Sequence, residues 1–315
     1  MEVGRSAERA FYSFIELMSD VLGFTAKVDT KKSDVGNYFN SLGVKLGEAT
    51  KELEEVAKKS EVGVGKGEES KDGKNAIREA IDQAKGVLGK LKGHLESLKG
   101  IGDDKVVGYA NNAQGIGTAP DDAQLKTILG VLKDIMKMAT DVGGKALEVG
   151  VTTLTINGVD NKDGAKILAT SGASNPGAND AGKAAIILAS VTGKEMLDSI
   201  VKSEESDQAL SNNADVNTSA LQFAKGGQAD HLAGANTPKA AAVAGGIALR
   251  SLIKAGKLGA GAAVNNAGGE KDVQGVGATA ANKLLVAIEE VIKKTVKNVL
   301  EKAKEKINES RNPKA

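Results

Sequence analysis

Two runs of apolar residues in strict heptad spacing lie near the start of this chain, and they limit what it can fold into. Val35, Phe39, Leu42, Leu46, Ala49, Leu53 and Val56 alternate steps of four and three. Ile77, Ile81, Ala84, Leu88, Leu91, Leu95 and Leu98 do the same. That alternation puts every apolar residue on one narrow stripe of a helix, while Lys, Glu and Asp fill much of the remaining surface. A wider stripe follows towards the C-terminus: Leu285, Ile288, Ile292, Val296, Val299, Ala303 and Ile307. On its outer face Glu289 with Lys293 and Glu290 with Lys294 have the favourable i,i+4 order, worth about 0.2–0.5 kcal/mol per pair. Long amphipathic helices cannot bury such stripes alone, so the three must pack together. An internal helix-bundle core satisfies this requirement, and so does an intermolecular coiled coil.

A length of 315 residues permits two domains. Packing of the first and last helices against each other would instead close the chain into one. The expected fold class is therefore all-α: a single elongated helical bundle over 1–315, with stalk helices in 1–100 and 281–310. A loop-rich head over 101–280 should include one buried helix at 238–256 and at most one small β-hairpin. The formal net charge is +1, and lysines and acids are interleaved as on solvated faces, which argues against a nucleic-acid partner. The last helix is the exception, with seven lysines and four glutamates between Lys283 and Lys306. That excess suits either a solvated helix end, where the macrodipole favours cations, or the neighbourhood of an anionic membrane. The chain has no Cys and no Trp, so disulfides and thiolate metal sites are excluded. No apolar run approaches the roughly 20 residues needed to span a bilayer. The first residues, Met-Glu-Val-Gly-Arg-Ser, hold no signal-peptide core. Taken literally this describes an intracellular protein; alternatively the Met stands where an export signal was removed.

Further elements follow from local chemistry. Phe11, Phe14, Ile15, Met18, Val21 and Leu22 predict an inner helix face over about 6–22, and the clustering of aromatics before residue 40 predicts the firmest core there. Ser33 is the expected N-cap of the second helix, to about Lys59, and the third spans about Lys74 to Lys99. Gly86, Gly89 and Gly93 weaken the third helix by about 1 kcal/mol each, which close approach of a neighbour would explain. Thr118-Ala-Pro-Asp121 opens a helix with Leu125, Ile128, Leu132, Ile135 and Ala139 on its inner face. Val149 to Ile156 is strand-like, and Asn157-Gly158 signals a tight hairpin turn. Short helices are expected at about 162–170 and 180–191. Thr192-Gly-Lys-Glu195 forms a capping box for another, and a turn or two of helix fits Ser219–Lys225. Thr237-Pro238 should start a helix ended by Gly256. Ala240 to Ile253 is apolar nearly all round, broken by Gly245, Gly246, Arg250 and Ser251, so it should be buried. Exposed loops are expected at 60–73, 100–120, 143–180, 203–236 and 259–280.

Chemistry-bearing patterns are scarce. His94 and His231 are the only histidines, and neither has a partner at metal-ligand spacing. Neither a G-x-S-x-G elbow nor an H-E-x-x-H pair occurs. Gly63-Val-Gly65-Lys-Gly67 and Gly275-Val-Gly277 lack the ending and context of a phosphate loop and are taken as flexible linkers. Val159-Asp-Asn-Lys-Asp-Gly164 fails the calcium-loop register and is taken as a turn. The expectation is no catalytic, cofactor-binding or metal residues, no cofactor and no enzymatic activity.

The run Ala244-Gly-Gly-Ile-Ala-Leu-Arg-Ser-Leu-Ile-Lys-Ala-Gly-Lys-Leu258, with its Ile247–Arg250 core, strongly resembles a helix of the variable surface lipoproteins of Borrelia. Lys32-Ser-Asp-Val35 with Tyr38-Phe39 resembles the second helix of that family, and Phe11-Tyr-Ser-Phe-Ile-Glu-Leu17 its first. The resemblance covers nearly the whole sequence and is nearest to the variable large proteins of relapsing-fever spirochaetes; the Lyme-disease surface antigen is more distant. It implies a surface-exposed lipoprotein of the outer membrane, with terminal helices in a membrane-proximal base and variable loops at the far end. It also implies antigenic variation, with host antibodies as partners and evasion of them as the task. The family carries its lipid on an N-terminal Cys that is missing here, so the sequence is taken as a mature form without its anchor. A second reading is a binding module for a host serum or matrix protein, such as a complement component.

Overall fold

The computed structural model describes residues 22–62, 70–264 and 268–311. The helix expected before Leu22 and the Gly63–Gly67 run lie outside these residues, as do the side chains of Val56 and Ile77. The heptad stripes form two long helices, α1 (Lys32–Val62) and α2 (Ser70–Ser97), the latter closed by a 3-10 turn at Leu98–Gly100. They pack against each other with Val35, Phe39, Leu42, Leu46, Ala49 and Leu53 facing Ile81, Ala84, Leu88, Leu91 and Leu95, all buried. The glycines that allow this lie on the other helix from the one expected. A Cβ on Gly36 would come within 2.5 Å of the Lys99 carbonyl, and one on Gly43 within 2.8 Å of Glu96 Cγ. A Cβ on Gly86, Gly89 or Gly93 would meet nothing within 4 Å. Those three weaken α2 without any packing return.

Helix α3 (Asp122–Asp141) buries Leu125, Ile128, Leu132, Ile135 and Ala139. Its N-cap is Asp121, accepting from the Gln124 amide at 3.0 Å, rather than Thr118. The strand-like stretch shrinks to a hairpin of β1 (Thr155–Ile156) with β2 (Val159–Asp160), turned by Asn157-Gly158. Val149 and Val151 stay exposed outside it. A 3-10 helix at Lys162–Leu168 leads into β3 (Ala169–Ser171), which pairs in parallel with β4 (Gly227–Gln228). Short helices follow: α4 (Asp180–Ala189), α5 (Gly193–Val201), α6 (Ala220–Lys225) and α7 (Ala229–Leu232). Full capping boxes start α5 at Thr192/Glu195 and α6 at Ser219/Gln222.

Helix α8 (Ala240–Leu252) has all 13 residues buried, as the apolar run predicts. Packing of α6 on α8 depends on Gly246, where a Cβ would come 2.5 Å from Phe223 Cβ. The N-cap of α8 is Lys239, not Thr237: Lys239 is held extended by an antiparallel bridge to Thr153, and the Ala240 amide donates to the Thr152 carbonyl at 2.8 Å. Helix α9 (Glu270–Arg311) runs 42 residues. It starts eleven residues before the expected 281, so the end of the expected 259–280 loop is helix. Gly275-Val-Gly277 is part of it; a Cβ on Gly277 would come 2.6 Å from Gly108 Cα. The N-terminal half of α9 lies on α8 and the C-terminal half lies along α2, so one helix joins the α8 core to the heptad pair.

Candidate functional site

The outward face of the head is assembled from segments with almost no regular structure. Residues 145–160, 171–175 and 204–217 are largely exposed, and even the apolar Val151 is 77% exposed. Segments 145–160 and 204–217 are fastened at a few points by main-chain bonds, and 171–175 by the Ser174 hydroxyl, which donates to Asp230 at 3.1 Å. The Leu154 amide donates to the Asn236 carbonyl at 3.1 Å, the Leu210 amide to Gly226 at 2.7 Å and the Ala214 amide to His231 at 2.9 Å. Leu154 and Ala214 are buried beside these bonds. Main-chain fastening does not depend on the outward side chains, which can change without loss of the bond.

Other expected loops are less free. In 100–120, Ile101, Val107 and Ala110 are buried, and the backbone pairs over long range with 257–260, as at Ala110 with Leu258 and Thr118 with Lys257. In 203–236, Leu221, Phe223, Ala224, Ala229 and Leu232 are core. Both regions lack local periodicity because distant partners hold them.

Beneath the outer face, cations end the helices. Arg250, fully buried in α8, donates from Nε to the Ala224 carbonyl at 2.9 Å and from Nη2 to Phe223 at 3.3 Å, closing the C-terminus of α6. Lys32, also fully buried, donates from Nζ to the carbonyls of Ile253 at 2.9 Å and Arg250 at 3.5 Å, and to that of Gly256, closing α8. Lys283 donates to Leu188 and Val191 at 2.6 and 2.8 Å, closing α4. Last-turn carbonyls have no partner within their helix, and the macrodipole adds attraction for a cation, up to about 2 kcal/mol where partly buried. Burial lowers the Lys32 amine to about 8; Asp103 pulls it back up and Arg250 pushes it further down. Burial likewise lowers Arg250 to about 9, so it stays charged at neutral pH.

An extended strap precedes α1 and is held by side chains of α9. Glu289 accepts from the Gly23 and Phe24 amides at 3.0 and 3.2 Å and from the Tyr38 hydroxyl at 2.5 Å. Asn282 accepts from the Ala26 amide at 2.8 Å and donates to its carbonyl at 3.0 Å. Gln274 donates to the Val28 carbonyl at 2.8 Å. Three polar residues two turns apart thus do for the strap what a strand edge would do. Glu289 therefore turns inward, and Glu290 pairs with Lys194 at 3.1 Å. The outer-face pairs with Lys293 and Lys294 do not describe these two acids. Burial raises the Tyr38 phenol far above its usual range, and the hydrogen bond to Glu289 adds to that.

His94 is half-buried with Nδ1 3.6 Å from Asp134, and His231 is half-buried beneath the outer face. Among the described residues, no group of three or more His, Cys, Asp or Glu is placed to hold a metal, and no helix is long and apolar enough to cross a membrane. Periodicity did not reveal Lys32, Arg250, Glu289, Asn282 or Gln274. Arg250 did carry a signal, as one cation inside an otherwise apolar run; Lys32 carried none.

The model of a family described as Borrelia lipoprotein matches residues 7–307. Variable large protein 7 of Borrelia hermsii is 67% identical over 312 residues, covering 99% of this chain and 84% of that protein. Variable large protein 18 of the same organism is 61% identical over 317 residues, covering 100% and 84%. In fold, the chain is similar to the crystal structure of the Lyme disease variable surface antigen VlsE of Borrelia burgdorferi. That match has a TM-score of 0.68 and 24% identity, and covers 97% of this chain and 96% of the other.

Proposed function

We propose that this chain, which belongs to the Borrelia lipoprotein family, is a variable surface antigen. It is held by lipid in the outer membrane, presents exchangeable head loops to host antibodies, and serves antigenic variation and immune evasion without catalysis. The observation that carries this reading is the fastening of 145–160 and 204–217 by main-chain bonds. A fold attached in that way keeps its stability while its outward residues change.

The names of its relatives support the same reading, since those proteins are called variable large proteins. The strap supports a polarity. Traced back from Val28 to Gly23, its partners on α9 advance from Gln274 to Glu289, so the N-terminal direction follows α9 towards its C-terminus. An anchor near the N-terminus would then sit at the stalk end, with the head away from it and 1–315 acting as one unit. Stable attachment requires two or more acyl chains, because one gives only marginal binding.

The test is protease treatment of intact spirochaetes making this protein. Cleavage within 204–217 without lysis is expected. A protein fully protected until the outer membrane is broken would overturn the assignment.

A further inference from the structure

The turn of the β1–β2 hairpin has a chemical property that its role in folding does not use. Asn157 and Gly158 adopt φ of 51° and 78°, and both are exposed. A Cβ on Gly158 would meet nothing within 4 Å, so no neighbouring residue crowds the turn at this position. The ladder below consists of two pairs, Thr155 with Asp160 and Ile156 with Val159, so only a short ladder restrains the turn. Asn157-Gly158 is the one Asn-Gly step in the sequence.

We propose that Asn157 is a site of spontaneous deamidation through its own backbone. The Gly158 amide nitrogen gives up its proton to base and attacks Asn157 Cγ. A ring bond forms between that nitrogen and Cγ, the bond from Cγ to Nδ2 breaks, and ammonia leaves with a proton. Water then adds to one carbonyl of the resulting succinimide and opens it, leaving an aspartyl or isoaspartyl residue at position 157. The balance is one water consumed and one ammonia released, with no oxidation. Glycine favours the step because it has no side chain to obstruct the nitrogen and lets the turn reach the required backbone angles.

Other asparagines are less suited. Asn161 is buried and donates to the Val159 carbonyl at 2.8 Å. Asn282 is held by the strap. Asn175 precedes a proline, whose nitrogen bears no proton. Asn212, Asn213 and Asn217 are exposed but are followed by residues with side chains.

The product adds a carboxylate to a hairpin that already carries Asp160, and the isoaspartyl form lengthens the backbone by one carbon and breaks the two-pair register. The hairpin at 155–160 would then present a different surface with age. That immunological consequence rests on the display reading, whereas the chemistry does not.

The test is incubation of the folded full-length protein in mildly acidic and in mildly alkaline buffer at body temperature, followed by peptide mass spectrometry that separates the two products. Conversion at position 157 should be severalfold faster than at any other asparagine, and faster in alkali. Asn157→Gly keeps a residue that tolerates positive φ, so it should abolish the conversion while leaving the unfolding midpoint unchanged. Retention of Asn157 while the sample ages, or conversion of Asn212 or Asn217 at a similar rate, would overturn the proposal. Loss of surface exposure in the protease experiment would leave this result unaffected.

Discussion

Lys32 donates from its ammonium to the Ile253 carbonyl at 2.9 Å, joining residues 221 positions apart in a fully buried contact. The first residue of α1 thereby closes the buried helix α8. The Asp103 carboxylate adds a bond to the Ala255 amide at 2.8 Å, and the Lys254 amide donates to Ile101 at 2.7 Å. Three segments far apart in sequence meet at this one helix end.

A pH dependence follows from this contact. The Lys32 amine falls from 10.5 to about 8 on folding. Between those values the unfolded chain binds more protons, so the stability contributed by this position rises with pH and is lost as pH falls through about 8. Urea unfolding of the native protein and of Lys32→Met, below and above that window, should show their difference shifting by more than about 1 kcal/mol in favour of the native protein at the higher pH. A shift of the opposite sign would remove Lys32 as the cause.

Arg250→Met keeps most of the side-chain volume but leaves the Ala224 and Phe223 carbonyls without their donor. A loss of about 2–4 kcal/mol is expected, with α6 the first helix to lose amide protection. Stability unchanged within about 0.5 kcal/mol would mean that α6 is closed by other means.

Gly246→Ala and substitutions in the outer segments should separate sharply. The added methyl meets Phe223 Cβ at 2.5 Å, an overpacking that costs about 1–3 kcal/mol. Replacement of any one of Glu204, Glu205, Gln208 and Asn212 by another polar residue should stay within about 0.5 kcal/mol. Comparable losses in both kinds of variant, by thermal or urea unfolding, would contradict the main-chain fastening of 204–217.

Glu289→Gln tests the strap. It weakens the acceptor for two amides and the Tyr38 hydroxyl, so protection at Gly23 and Phe24 should fall and the Tyr38 phenol should ionise more readily. An ultraviolet alkaline titration with no difference from the native protein would place the cause of the raised phenol in burial alone.

Much of this architecture is legible in the sequence where a local rule decides it. The heptads mark α1 and α2 because apolar residues at alternating steps of three and four share one face only in a helix. Thr192/Glu195 and Asn157-Gly158 mark their elements because a cap and a turn are settled within four residues. Elsewhere long-range pairing overrides local signals. Thr237-Pro238 does not start α8 because Lys239 is drawn into an extended bridge with Thr153. Residues 270–280 look like a glycine-rich linker yet are helical, since Gly277 lets Gly108 approach. The polar anchors stay hidden for the same reason: Lys32, Asn282 and Glu289 act on segments that no spacing connects to them.

Antibodies should meet the loosely structured outer segments and not the buried helix beneath. Hydrogen–deuterium exchange of the folded protein, with and without bound polyclonal antibodies from infected hosts, tests this most directly. Slowed exchange on binding is expected within 145–160, 171–175 and 204–217, with Ala240–Leu252 already protected and unchanged. A footprint centred on Ala240–Leu252 of the folded protein, with those segments unaffected, would contradict it.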